Sequence, residues 1–462
     1  MTVTPNSTAA RDVAYHLHPY TNAVKQEAEG PTVLARGKGI YVYDEDGKEY
    51  LEGLSGLWCV SLGFSEERLV EAAARQMRQL PYYHSFGQKV PEITVELAER
   101  LIKLAPVPMA RAFFCGSGSE ANDTAVKMAW YYHNAIGKPQ KKKLIGRVKG
   151  YHGVTVAAAS LMGLPTFQRD FDIPLPGFLH TDCPHHYRFA NPGESEEEFA
   201  TRCAANLEKL ILAEGPDTVA AFFAEPIMGA GGVLLPPKTY FEKIQAVLRK
   251  YDVLFVADEV ICGFGRTGNM FGSETFKIAP DIMTMAKALS SGYLPISALM
   301  LNEKVYCALR DNSAKIGTFG HGYTYGGHPV SAAVAVEALK IYEERDILSQ
   351  VRRVAPALQN GLRKFAGHPL VGEVRGIGLI GGIELVKDKR TKEAFDPTMG
   401  VGAYTAKCAQ GHGLLIRAMG DSIGFCPPLI INEAQIGDML ARFSKALDET
   451  HAWVRQQGLA AA

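Results

Sequence analysis

Residues 281–293 read DIMTMAKALSSGY, and their only cation is Lys287, set between Ala286 and Ala288. Taking an ammonium out of water is costly, so a lysine is rarely buried without a partner. Where one is buried, its pKa falls, and the free amine becomes a nucleophile and then a base. Asp258 ends the apolar stretch VLFVAD, 29 residues before Lys287. An ionised carboxylate there keeps a neighbouring nitrogen protonated. A third feature is GSGSEA (116–121), which follows the apolar run RAFFC and precedes a long helical pattern. Unpaired N–H groups and the positive end of the dipole make such a helix start a phosphate site. Each feature also has an ordinary reading. Lys287 could lie on the surface with its stem on apolar groups, and Ser119 could be a simple N-cap.

The three features act together only if the fold carries them to one edge. Apolar runs RAFFC (111–115), LIGRV (144–148), VAAFFA (219–224), VLFVA (253–257) and ISALML (296–301) alternate with helical stretches such as SEANDTAVKMAWYYHNA (119–135). That pattern predicts an α/β fold with a mostly parallel sheet covered on both faces. A separation of 29 residues is one strand–crossover–strand unit, so Asp258 and Lys287 are expected at neighbouring strand ends. Open α/β sheets bind ligands at the carboxyl ends of their strands. After residue 330 the texture changes to long helices followed by hairpins, GEVRGIGLIGGIEL and GLLIRAMGDSIGFCPPL. The expected division is a large lobe over 76–330 and a smaller α+β lobe over 331–462. Residues 1–75, with GIYVYDEDGKEYLEG read as a hairpin with a DG turn, join the smaller lobe. The charge runs GKPQKKKL (137–144) and GESEEEF (193–199) read as solvated loops or helix ends.

Other motifs carry less. GFGRTG (263–268) fits a dinucleotide fingerprint, but NMFGSETF after it opens no amphipathic helix, so it reads as a structural loop. GSGSEA lacks the acid expected about 20 residues on to hold a ribose; the chain there reads KPQKKK, which points to a phosphate without an adenosine. GDSIG (420–424) resembles a nucleophile elbow, yet FCPPL beyond it cannot begin the required helix. HTDCPHHY (180–187) reads as a polar loop, and no metal is expected. The chain has 462 residues, 47% hydrophobic and 21% charged, with Lys+Arg and Asp+Glu both 49. That balance disfavours nucleic acid or an anionic membrane as the main partner. No apolar run is long enough for a bilayer, and the first 30 residues show no leader pattern. Eight scattered cysteines without a C-x-x-C fit free thiols in a reducing compartment, so a cytoplasmic location is expected.

One cofactor asks for a desolvated lysine, a carboxylate and a phosphate cradle together. Pyridoxal 5′-phosphate (PLP) has an aldehyde for the lysine, a pyridine nitrogen for the carboxylate, and a phosphate.

At these residues the sequence resembles the class III aminotransferases of PLP fold type I, and within them the amine:pyruvate, or omega-, transaminase branch. The resemblance runs from HLHPYTN to CPPLIINEAQ. It implies a large domain with a mostly parallel seven-stranded sheet and a smaller α+β domain. DEVICGFGRTG makes Asp258 the partner of the pyridine nitrogen and places Val260 against the ring. KALSSGYLP makes Lys287 the Schiff-base lysine. GSGSEANDTA puts Gly118 and Ser119 on the phosphate, with Glu120 nearby, and GYHGVT makes Tyr151 the stacking aromatic. HGYTYGGHP offers Thr324 to the phosphate of the other subunit, which implies an obligate homodimer with both active sites at the interface. Glu225 in FFAEPIMGAGG matches a glutamate near the cofactor. Leu57 and Trp58 form a bulky substrate wall, with Tyr20, Phe86, Val154 and Ala230 along the pockets. Arg417 in LIRAMGD stands where the family has a mobile arginine, able to grip a carboxylate in two-pronged fashion and to swing away for an apolar amine.

The activity implied is a ping-pong transfer of an amino group from a primary amine or omega-amino acid to pyruvate, giving a ketone or aldehyde and alanine. Lys287 serves as the proton-moving base. The same scaffold also admits polyamine, beta-alanine or taurine donors, 2-oxoglutarate as acceptor, an intramolecular aminomutase, and a silent cofactor-binding protein.

Overall fold

A computed structural model describes residues 5–459. The predicted DG turn is present. β1 (Leu34–Lys38), β2 (Tyr41–Asp44) and β3 (Glu49–Glu52) form an antiparallel meander. Gly47 sits in the turn at φ 84°, and the Asp44 carboxylate accepts the Asp46 and Lys48 N–H groups.

The large sheet uses β4 (Arg111–Cys115), β5 (Lys143–Arg147), β6 (Phe178–Thr181), β7 (Val219–Ala224), β8 (Leu254–Asp258), β9 (Ile282–Met285) and β10 (Ser297–Leu301). Its order is β4-β10-β9-β8-β7-β5-β6. β10 runs antiparallel to both neighbours, and every other pairing is parallel. Every residue of β7 to β10 is buried, because helices cover both faces of a parallel sheet. β6 (FLHT) and β9 (IMTM) are absent from the apolar runs read in the sequence. His180 and Thr284 interrupt them, and each is satisfied by a hydrogen bond, His180 Nε2 with the Leu161 carbonyl and Thr284 Oγ1 with Asn122 Oδ1.

The remaining strands are β11 (Val371–Ile377), β12 (Ile380–Leu385), β13 (Leu414–Leu415), β14 (Arg417–Met419) and β15 (Ser422–Phe425). β11, β12, β15 and β14 make an antiparallel sheet in that order, while β13 joins β3 in parallel. The N-terminal meander thus shares a sheet with the C-terminal part of the chain. The helix Pro329–Glu344 is buried along most of its length and lies against the turn that carries Lys287. Its Tyr342 hydroxyl donates to the Ala288 carbonyl at 2.8 Å.

Two expectations need correction. The basic run at 137–144 is not wholly solvated. Lys141 is buried, and its ammonium donates to the Tyr251 and Asp252 carbonyls at 2.9 and 2.8 Å; the backbone acceptors replace the lost water. HTDCPHHY is not one loop either: it starts in β6 and ends in a helical turn, His186–Phe189. GFGRTG is a loop against the segment before β12, with buried Arg266 donating to the Leu379 carbonyl at 3.1 Å. GDSIG is the β14–β15 turn and the strand after it. The acidic run caps the helix Glu196–Glu214 through a Ser195–Glu198 capping box, a helix end as read.

Candidate active site

Five parallel strand ends converge on one edge. Beyond β4 comes the Gly-Ser turn, beyond β5 Tyr151 and His152, and beyond β7 Glu225; Asp258 ends β8, and Lys287 follows β9. They line a cavity of about 840 Å³.

Lys287 opens a short 3₁₀ turn with a left-handed φ of 46°. The residue is half-buried and lines the cavity. Among the described residues, no carboxylate lies within 4 Å of its ammonium. Burial pulls its pKa down, and the charges of Cys59, Asp258 and Glu225 only partly oppose this.

Asp258 is fixed from three sides. Its Oδ2 accepts from Asn122 Nδ2 and from His152 Nδ1, both at 2.8 Å, and its Oδ1 accepts the Val260 N–H at 3.1 Å. Asn122 also donates to the His152 carbonyl at 2.7 Å and accepts from Thr284 Oγ1 at 2.8 Å. The whole group is buried, and among the described residues His152 Nε2 has no hydrogen-bond partner. Sequence reasoning missed Asn122 and His152. The available signal was position: Asn122 lies one turn past the Gly-Ser start, and His152 adjoins Tyr151.

The helix Gly118–Ala135 begins at the predicted cradle, but its N-cap is Ser117, which accepts the Glu120 N–H at 3.2 Å. Ser119 instead accepts the Val154 N–H at 3.0 Å. Glu120 turns back onto the Gly116 N–H at 2.6 Å. A Cβ on Gly118 would meet Val260 at 3.1 Å, and one on Gly153 (φ 131°) would meet Ser119 Oγ at 2.5 Å. At Gly153, where the Ser119 Cα would also lie at 2.7 Å, two backbone segments therefore approach with room for glycine alone.

Glu225 is buried with its Oε1 on the Tyr151 N–H at 3.0 Å and its Oε2 on the Gly229 N–H at 2.9 Å. Burial holds this carboxyl above the usual range. Tyr151 and Tyr20 hydroxyls lie 3.3 Å apart, and burial followed by that contact raises the Tyr151 phenol.

Tyr20, Leu57, Trp58, Ala230, Val260 and Arg417 line the same cavity. Among the described residues, Arg417 has no carboxylate within 4 Å. Phe86, Val154 and Thr324 do not line it. Phe86 and Val154 are 48% and 60% exposed. Thr324 lies in an exposed loop whose carbonyl at that residue accepts the Tyr82 hydroxyl at 2.8 Å. Phe86 adjoins the same loop at Gly322.

The family model for aminotransferase class-III matches residues 23–447. The chain is 52% identical over 441 residues to a gamma aminobutyrate transaminase 3, chloroplastic, of Solanum lycopersicum, covering 95% of this chain and 85% of that one. It resembles the crystal structure of the omega transaminase from Pseudomonas jessenii in complex with PMP, at TM-score 0.96 and 57% identity over 97% of this chain and 99% of that one. A thermostable omega transaminase variant W58M/F86L/R417L, engineered for asymmetric synthesis of enantiopure bulky amines, matches at TM-score 0.96 and 57% identity, covering 97% and 100%. The seven-stranded sheet, the strand-end cavity and these matches agree: the chain belongs to the class III aminotransferases, enzymes of PLP fold type I that use pyridoxal phosphate.

Proposed function

We propose that the enzyme moves an amino group from a primary amine or omega-amino acid to pyruvate. The observation that carries this is Arg417, a guanidinium without an ion pair in the same cavity as Lys287 and the Trp58–Leu57 wall. One small chamber then serves an apolar donor and a carboxylate-bearing acceptor in turn. Its neighbour with changes at positions 58, 86 and 417, engineered for bulky amines, supports these positions as substrate wall.

The cavity fits PLP. Lys287 would hold its aldehyde, Asp258 its ring nitrogen, Gly118 and Ser119 its phosphate, and Tyr151 and Val260 its faces, with Glu225 alongside. The close backbone approach of Gly153 to Ser119 supports the phosphate place. Bound there, PLP supplies the electron sink for the charge left when the donor carbon loses a proton. Lys287 Nζ takes that proton as general base and returns it as general acid, and its lowered pKa keeps the amine free to do so. Asn122 and His152 keep Asp258 aimed, and Arg417 grips the acceptor's carboxylate. Thr324 and Phe86, both outside this cavity, serve the cavity of a second subunit in a homodimer.

Among the described residues no helix is long and apolar enough to cross a membrane, and all eight cysteines are free. The free thiols fit the reducing, cytoplasmic place we propose, which cell fractionation tests. The tomato relative, named as a gamma aminobutyrate transaminase, favours a second reading in which the donor is a short omega-amino acid.

Mixing purified holoenzyme with an amine donor is expected to bleach the near-visible cofactor absorbance, and pyruvate to restore it. Recovery with 2-oxoglutarate but not pyruvate overturns the acceptor. Lys287→Ala should lose both that absorbance and turnover; full multiple turnover by this variant removes Lys287 as base. Arg417→Leu should raise KM for pyruvate about tenfold or more and leave the half-reaction with an uncharged amine nearly unchanged.

A further inference from the structure

We propose that Asp12, His16 and His18 form a binding site for one divalent transition-metal ion of the zinc class, near Tyr20 on the segment that brings it into the active-site cavity. The three residues share the stretch DVAYHLH. The helix α1 (Thr8–Tyr15) ends between them, and the chain then turns so that both rings close on one carboxylate. His16 Nδ1 lies 2.9 Å from Asp12 Oδ1, and His18 Nε2 lies 2.8 Å from Asp12 Oδ2. The ring centroids are 4.6 Å apart, and the three ligand atoms all lie within 4.8 Å of one another. From the helix α2 (Ala23–Glu29), the Gln26 amide reaches to 3.1 Å from the carboxylate and 3.5 Å from His18 Nε2. A half-turn of that amide presents its oxygen as a fourth donor. A cavity of about 300 Å³ opens beside the group, lined by His16, His18, Gln26 and Glu27 among others.

The absence of a built-in cation separates this cluster from an ordinary ion pair. Among the described residues, no lysine or arginine lies within 4 Å of the Asp12 carboxylate, whose only basic partners are the two imidazoles. The molecule has another His-carboxylate group, His185 with Glu373 and Glu384. There Arg375 Nη1 stands 2.6 and 2.8 Å from the two carboxylates, and a fixed guanidinium fills the place of a cation. At Asp12 that place is open. Two imidazole nitrogens, a carboxylate and an amide oxygen are a donor set that zinc accepts, with room for a solvent ligand. Each neutral ring offers one nitrogen lone pair and keeps its proton on the other nitrogen, so binding needs only a change of tautomer.

Bound metal would tie α1 to α2 across residues 12–26. Tyr20 lies inside that loop, with its hydroxyl 3.3 Å from that of Tyr151. The ion would therefore hold one wall of the substrate cavity in place. The site stands apart from the transamination chemistry and does not depend on which amine the enzyme takes.

The test uses holoenzyme treated with chelator, desalted, and titrated with zinc chloride. Metal content is measured after a second desalting, and hydrogen exchange is followed over residues 8–29. One zinc per chain and slower exchange in that segment are expected. The double variant His16→Ala/His18→Ala should lose both effects while keeping its cofactor absorbance, which reports an intact fold. The milder Asp12→Asn should weaken zinc about tenfold or more. Wild-type enzyme that retains no zinc, or variants that retain it as tightly, overturn the proposal.

Discussion

At the scale of single residues, the chemistry was legible where one side chain announces it. A lysine among alanines and an aspartate at a strand end are informative because their burial demands a reason. Asn122 and His152 carry no such signal. Their common partner Asp258 is 136 and 106 residues away, and sequence order does not reveal a hydrogen bond across that span. His152→Ala removes one of the two donors on Asp258 Oδ2. We expect kcat to fall about 10- to 100-fold, with the cofactor absorbance titrating differently with pH. An unchanged kcat and an unchanged titration would show that His152 only fills space. Glu52 was equally invisible. It is buried, accepts the Leu54 N–H at 2.8 Å, and burial pushes its pKa up to about 7. In the unfolded chain a glutamate titrates near roughly 4.3. Between those values the folded state holds a proton that the unfolded state has lost, so stability falls as pH rises toward 7. Glu52→Gln should therefore stabilise the protein at pH ~8 by on the order of 3 kcal/mol, and not at pH ~4. Urea denaturation at both values measures the difference.

At the scale of elements, the apolar runs located β4, β5, β7, β8 and β10 and passed over β6 and β9, each with a polar residue inside. β6 and β9 keep His180 and Thr284 because each finds a hydrogen-bond partner inside the fold. The basic run before β5 misled for the opposite reason. Its composition reads as solvated, yet Lys141 is satisfied by two carbonyls supplied from residues 251 and 252. The start of the helix Gly118–Ala135 was legible, though one residue in its role was not: Ser117 caps the helix and leaves Ser119 free to hold the segment at Val154. That arrangement depends on Gly153, where a methyl group would press on Ser119. Gly153→Ala is expected to displace Ser119 and weaken cofactor retention by about 1–3 kcal/mol, a tenfold loss or more. Dialysis of the variant followed by cofactor absorbance checks this; retention equal to wild type would show that the cradle tolerates a side chain.

At the scale of the whole molecule, hydrophobic period and turn residues change along the chain, and we propose two lobes on that basis; the pairing of β13 with β3 supports joining the first residues to the last. Partner contacts were expected from the family resemblance, through Thr324, and not from the pattern of the residues. Tyr83, Phe86, Val90 and Tyr325 stay exposed near one another in sequence or through the loop at Gly322, and we propose this apolar surface as the dimer interface. Replacing Phe86 and Tyr325 together by glutamate should give a monomer by sedimentation, with activity lost along with the dimer; an active monomer would show that each chain completes its own site. The shared sheet of β3 and β13 bears on synthesis as well. Lys48 donates to the Gly411 carbonyl across 363 positions, and β13 is the parallel neighbour of β3. On a ribosome adding roughly 5–20 residues per second, the edge of β3 waits tens of seconds for its partner strand. During that interval a newly made chain presents a bare strand edge, which makes this edge the expected place for a chaperone to act and for overexpressed protein to aggregate.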